Sequence, residues 1–210
     1  MGYARVSYRA VGVVLVLLVG RAMAADAPRP NILIIFTDDQ GYGDLACFGS
    51  KTNKTPRMDK LAAEGTRFTN FYAQHVCGPS RSALLTGRYP VRSGGWSMPA
   101  SEITWAELIR KVGYQTACIG KWDVSNRKAI IDRMPNAKGF DYYFGTLGAN
   151  DSGSVFFHEN NAPAGKTRDM GSLARLYTDK AIDYLKNKRD KSKPFVLYLA
   201  HTMMHTIIDA

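Results

Sequence analysis

Three uninterrupted apolar runs constrain this chain more than anything else in it. They are Asn31-Ile32-Leu33-Ile34-Ile35-Phe36-Thr37, the stretch Tyr114 to Ile119, and Pro194-Phe195-Val196-Leu197-Tyr198-Leu199-Ala200. Short continuous runs of this kind, bounded by turn residues, read as strands buried on both faces. Helical patterns lie between them. Thr55-Pro56 to Glu64-Gly65 has an N-cap, a first-turn proline and a glycine stop, with Met58, Leu61 and Ala62 on one face. Thr104-Trp105-Ala106-Glu107 is a capping box opening a helix that ends at Gly113. Ser172 to Arg189 is amphipathic, with Leu173, Leu176, Tyr177, Ala181, Tyr184 and Leu185 on one face. Strand and helix in alternation predict an α/β fold, a doubly wound and mostly parallel sheet. Asn150 to Thr167, rich in Gly, Ser, Asn and Pro, reads as a loop. Thr66 to Ala73 reads as a strand or extended run.

Each apolar run ends in residues capable of chemistry. Asp38-Asp39 follows the first, Gly120-Lys121-Trp122 the second, and His201-Thr202-Met203-Met204-His205 the third. Open α/β sheets place ligands outside the C-terminal ends of their strands. Two acids at a strand-to-loop turn can both reach one hard cation, and oxygen-only donors point to Ca²⁺ or Mg²⁺. An Asx-rich turn is the plainer alternative. Lys121 alone reads as an ordinary surface lysine, and a histidine at a strand end is often a hydrogen-bonded structural residue.

A second signal lies ahead of the first run. Arg5 and Arg9 precede the apolar stretch Ala10 to Gly20, and Ala22-Met23-Ala24 supplies a small-x-small cleavage site. Residues 1–24 are expected to be an export signal, too short in their apolar part to span a bilayer permanently, and residues 25–210 the exported domain. The expected location is periplasmic or extracellular, or lysosomal in a eukaryotic host, with no stable membrane anchor. Nothing resembles a nucleic-acid module, so the net charge of +10 would favour at most acidic polymers. The three cysteines, Cys47, Cys77 and Cys118, are too few for a disulfide framework and too widely spaced for a Cys-based zinc site. Cys47 and Cys118 read as free buried thiols.

Cys77 differs. It opens Cys77-Gly78-Pro79-Ser80-Arg81, which continues through Thr86-Gly87-Arg88. Pro79 suits a first helical turn and Gly87 a left-handed stop, so Cys77 is placed beside a helix N-terminus, where unpaired N–H groups favour an anion. Arg81, one turn in, adds a positive fork suited to a tetrahedral oxyanion. A phosphatase loop of the Cys-x5-Arg type is excluded, because the position it needs is Ala83.

This run, with Asp38-Asp39, Gly120-Lys121-Trp122 and Gly139-Phe140-Asp141, resembles the type I sulfatase family of the alkaline-phosphatase-like superfamily. The resemblance implies that the cysteine at 77 is oxidised to formylglycine by a formylglycine-generating or anaerobic sulfatase-maturing enzyme. One hydroxyl of its hydrate would attack sulfur, and the second would later expel sulfate. It further implies that Asp38, Asp39 and residue 77 bind Ca²⁺, with Mg²⁺ the lesser candidate. Arg81 and Lys121 would hold charge on the sulfate and the hydrate, and His205 would assist departure of the alcohol. The implied substrate is a sulfated small molecule or glycan.

Two departures from the family pattern stand out. Asp123 occupies the place of the family's histidine after Gly-Lys-Trp, and Met204 and Ile207 replace the prolines flanking the position of His205. The resemblance covers the N-terminal part of the family only. Alternatives to an active sulfatase are a catalytically inactive truncated relative and a phosphate or phosphonate ester hydrolase. Asp38, Asp39 and residue 77 fall short of the six or more oxygens a hard cation takes, and with Asp123 this predicts little turnover by the 210-residue chain itself.

Overall fold

The structure, a computed structural model, describes residues 29–207. The expected export signal therefore lies outside the described residues. From Asn31 onward the chain forms one unit. Among the described residues, six strands make one sheet: β1 (Ile32–Phe36), β2 (Gln115–Lys121), β3 (Tyr142–Thr146), β4 (Val155–Glu159), β5 (Ala162–Thr167) and β6 (Phe195–Ala200). Their order is β1-β6-β2-β3-β4-β5. The first four in that order run parallel, and β4 and β5 extend the sheet antiparallel. No described helix is long and apolar enough to cross a membrane.

The last strand in sequence is inserted between the first two. Ala200 pairs with Phe36 on one side and with Gly120 on the other, so the C-terminal ends of β1, β6 and β2 lie side by side. Residues separated by more than 160 positions in sequence thereby meet at one sheet edge, as parallel topology requires.

Alternation along the strands builds two cores. Cys118, Tyr198 and Ala200 face one side, where they pack with Leu85, Ala106 and Phe140. Leu85 belongs to helix α2 (Cys77–Thr86) and Ala106 to α4 (Trp105–Lys111). Ala117, Ile119, Leu197 and Leu199 face the other side and pack under Leu173, Tyr177 and Ala181 of α5 (Leu173–Asp183). The sheet is thus covered on both faces, as the doubly wound reading expects. Truncating a fully buried side chain such as Leu85 to alanine would cost about 2–5 kcal/mol, which is the scale on which α2 is anchored.

The helix signals hold locally. Thr104 Oγ1 accepts from the Glu107 N–H at 3.2 Å and Glu107 Oε2 accepts from the Thr104 N–H at 2.9 Å, closing the capping box. Gly87 ends α2 with φ 66°, a left-handed value that glycine adopts without penalty. Helix α1 (Pro56–Glu64) starts after Thr55, whose hydroxyl bonds Asp59 Oδ1 at 2.9 Å. The helix α3 (Pro90–Ser93) is a single turn.

Three expectations are corrected. β1 is not buried on both faces. It is the sheet's edge among the described residues, and Leu33 and Ile35 are 52% and 49% exposed, while Ile34 and Phe36 pack into the first core. The stretch expected as a loop contains the β4–β5 hairpin. Val155-Phe156-Phe157 carries strand propensity, and Asn160, at φ 53°, supplies the left-handed turn. Of the strand or extended run expected over Thr66 to Ala73, no strand forms, and Phe68, Phe71 and Tyr72 stay exposed. Of the two thiols expected to be buried, Cys118 is, and Cys47 is half-buried.

Candidate active site

The parallel register delivers one carboxylate and one cation to the same point. Asp38, just beyond β1, is 3% exposed. Its N–H donates to Met203 O at 2.9 Å, and its own carbonyl accepts from the Met204 N–H at 2.6 Å, tying it to the segment after β6. Lys121, the last residue of β2, has no exposed surface, which overturns the surface-lysine alternative. Its Nζ donates to Asp38 Oδ2 at 2.7 Å. Gly120 makes this approach possible. It has φ 113°, and a Cβ there would stand 1.9 Å from Ala200 O.

Arg81 enters from α2 and is likewise fully buried. One terminal nitrogen lies 3.3 Å from Asp38 Oδ1. The guanidinium also donates to Lys121 O at 3.0 Å, Tyr198 Oη at 3.4 Å and His201 O at 3.4 Å, and it sits 5.2 Å over the Phe36 ring. Burial alone would lower its pKa, but Tyr198 and the Asp38 and Asp123 carboxylates outweigh that and hold it above its ordinary value. Burial pushes the Tyr198 phenol up to about 12.

Cys77 is the first residue of α2 and is half-buried. Ligand-type atoms of Asp38, Cys77 and His205 all lie within 4.8 Å of one another. Gly78 is required beside it, because a Cβ there would fall 2.0 Å from the Trp96 ring. Asp38, Asp39 and Cys77 face an open cleft of about 680 Å³. Asp39 adopts φ 57°, a left-handed value aspartate tolerates, and its side chain is 58% exposed at the rim. His205 Nε2 is 3.8 Å from Asp39 Oδ2 and 3.3 Å from Asp151 Oδ1. Of the six residues singled out from sequence, Asp38, Asp39 and Cys77 line the cleft, Arg81 and Lys121 lie buried behind Asp38, and His205 meets Asp38 and Cys77, whereas Asp39 stands outside that cluster. His201 stands apart, edge-on to Tyr177 at 6.2 Å, and burial lowers its pKa.

Asp123 stands beside Lys121. It is fully buried and its charge is shared among three partners. Its Oδ2 accepts from Trp96 Nε1 at 3.2 Å and lies 3.5 Å from Lys121 Nζ, while Oδ1 accepts from Arg127 Nε at 3.0 Å. Arg127 and Trp96 carry no motif, and sequence reasoning gave neither them nor Asn150 and Asp151 a part in the site. Asn150-Asp151-Ser152 even matches a glycosylation acceptor, yet Asn150 has no exposed surface and its amide donates to His205 O and Ile207 O, each at 3.1 Å.

Comparison with known proteins agrees with this geometry. The sequence pattern of the family described as Sulfatase matches residues 30–210, and the chain belongs to that family. It is 34% identical to arylsulfatase G of Mus musculus over 222 residues, which cover 85% of this chain and 42% of that protein. It is 33% identical to N-acetylgalactosamine-6-sulfatase of Mus musculus, over 90% of this chain and 42% of the relative. The chain therefore spans about two fifths of the length of these relatives. A solved structure in complex with its substrate D-glucosamine-2-N,6-O-disulfate matches with TM-score 0.72 and 32% identity, over 85% of this chain and 35% of that one. A sulfatase from Pseudoalteromonas sp. matches with TM-score 0.71 and 26% identity, over 90% of this chain and 46% of that one. The mixed α/β sheet is thus that of the family.

Proposed function

We propose that this chain carries the sulfate-binding and nucleophile-bearing part of a sulfuric ester hydrolase acting on sulfated glycans. The observation that supports it most is the pair of fully buried cations, Arg81 and Lys121, meeting at Asp38 beside the start of the helix that begins with Cys77. Two preorganised cations in a dry pocket stabilise the oxygens of a sulfate as charge develops on them. His205, with a ring nitrogen within 4.8 Å of ligand-type atoms of Asp38 and Cys77, would assist departure of the alcohol. Formylglycine in place of Cys77 would supply the attacking hydroxyl.

The donor set fits a hard cation. Asp38, Asp39 and the oxygens of a converted residue 77 would hold Ca²⁺, which supplies positive charge to the sulfate oxygens. A carboxylate has about four lone-pair sites, so Asp38 can keep Arg81 and Lys121 and still coordinate. The names of the relatives and the disulfated glucosamine seen in a structural neighbour support a sulfated sugar as substrate. An exported location and a maturation enzyme as partner belong to the same reading.

A second reading is favoured by Asp123. It stands where the family places a histidine and is locked by Lys121, Arg127 and Trp96, which describes a site that binds sulfate without turning over. One experiment separates the two. The chain is co-expressed with a formylglycine-generating or anaerobic sulfatase-maturing enzyme, the residue-77 peptide is weighed, and sulfate release from 4-nitrophenyl sulfate is measured against Cys77→Ala. Conversion with Cys77-dependent release supports the hydrolase. Conversion with sulfate binding and no release supports the second reading, and an unmodified thiol removes the nucleophile and overturns the first.

A further inference from the structure

We infer that Asn150 and Asp151 form a clamp that sets the backbone position and the ring orientation of His205. The inference rests on the hydrolase reading only for what His205 does, not for the clamp itself. The two residues follow β3 and reach across to the segment after β6. Asn150 is fully buried, and both amide hydrogens are spent on that segment, one on His205 O and one on Ile207 O, each at 3.1 Å. Burying an amide costs free energy unless it is bonded, so this side chain holds its place by holding residues 205–207.

Asp151 then addresses the ring. Its Oδ1 is 3.3 Å from His205 Nε2. The carboxylate is itself fixed, because Oδ2 accepts from Arg127 at 3.0 Å and Arg127 Nε donates to the buried Asp123 at 3.0 Å. On the other side of the ring, Nδ1 lies against the Thr206 carbonyl. The imidazole is bracketed between two oxygens, and a chain of charged groups runs from the buried Lys121 through Asp123, Arg127 and Asp151 out to it. Asp39 Oδ2, at 3.8 Å, is the other carboxylate near Nε2. Under the proposed function Asp39 is committed to the cation, which leaves Asp151 as the partner of the ring.

An exposed ion pair does little for stability. A group that orients a proton donor, by contrast, acts on geometry, where small misplacements cost large factors in rate. Asp151 is a positioning residue in this sense.

The test uses the whole chain labelled with ¹⁵N-histidine. It contains four histidines, and His205→Gln assigns the signal of interest. The Nε2–H of His205 is expected to be protected from solvent exchange. In Asp151→Ala that exchange should accelerate about tenfold or more, the scale on which partners of functional histidines act. Asp151→Asn keeps an acceptor oxygen and should restore protection. The urea midpoint of Asp151→Ala should not move, which a merely structural role would not predict. Equal exchange in wild type and Asp151→Ala, or acceleration without rescue in Asp151→Asn, overturns the clamp. Asn150→Ala is expected to accelerate the same exchange; should it fail to fold, the two Asp151 variants decide alone. Failure of Cys77-dependent sulfate release would strike the hydrolase reading and leave this readout intact.

Discussion

The buried floor of the site, Arg81, Lys121, Asp38 and Asp123, is 3% exposed or less at each residue, whereas at its exposed rim the side chains of Asp39 and Asp151 are 58% and 45% exposed. Both regions use the same residue types. On the floor two cations face two carboxylates, and nearly every polar atom is bonded. The exception is Arg81 Nε, which has no protein partner. At the rim the carboxylates are open to solvent, and their contacts run from 3.0 Å between Asp151 and Arg127 to 3.8 Å between Asp39 and His205. A buried pair that loses one member leaves an uncompensated charge, which costs several kcal/mol. An exposed pair contributes little. The floor therefore holds the sheet ends together, and under the proposed function it also binds the sulfate. The rim side chains can be altered without loss of fold.

The comparison breaks first at Lys121. Lys121→Met removes a cation shared by Asp38 and Asp123 and should destabilise the fold by about 3–5 kcal/mol in urea unfolding. An unchanged midpoint would mean that the floor is not a structural network at all. Asp123→His comes next. It restores the residue type that the family pattern expects, but it replaces a carboxylate that serves Lys121, Arg127 and Trp96. A loss of about 2 kcal/mol is expected, measured the same way; a gain would place Asp123 among buried charges whose desolvation outweighs their pairing.

The rim should respond in the opposite manner. Asp39→Ala is expected to move the urea midpoint by less than about 0.5 kcal/mol. It should nevertheless weaken Ca²⁺ binding about tenfold or more, followed by titration calorimetry, because it removes one of few oxygen donors. Equal Ca²⁺ affinity in the variant would take Asp39 out of the metal site.

The smallest effect concerns pH. Burial lowers the His201 pKa below its ordinary 6.5 in the folded state. The unfolded chain therefore binds the proton first. Stability is complete above 6.5 and falls as pH drops from there through the folded value. His201→Gln should flatten that limb of the urea midpoint against pH. An identical acid limb in the variant would assign it to another group, such as His158, whose pKa burial also lowers.

Much of this was legible in the chain itself. The strands β2 and β6, the capping box of α4 and the glycine stop at Gly87 follow from nearest neighbours along the backbone, where period, propensity and caps act locally. Cys77, Arg81, Asp38, Asp39, Lys121 and His205 were singled out through the resemblance of their motifs to the sulfatase family. The hairpin β4–β5 was missed because Gly, Asn and Pro outweighed its apolar residues in a local reading, while edge pairing with β3 decided the outcome.

What sequence alone determined was thus which residues could carry chemistry and at which strand ends they would stand. Whether Asp123 would be exposed or a buried partner, whether Asn150 would be a surface residue or a buried, bonded amide, and whether β1 would be central or the edge among the described residues were settled only by the tertiary structure. Each depends on a group distant in sequence: Trp96 for Asp123 across 27 residues, His205 for Asn150 across 55 residues, β6 for β1 across the whole chain. The electrostatic environment of a charged side chain and the burial of a strand face are properties of what packs against them, and no local pattern encodes that.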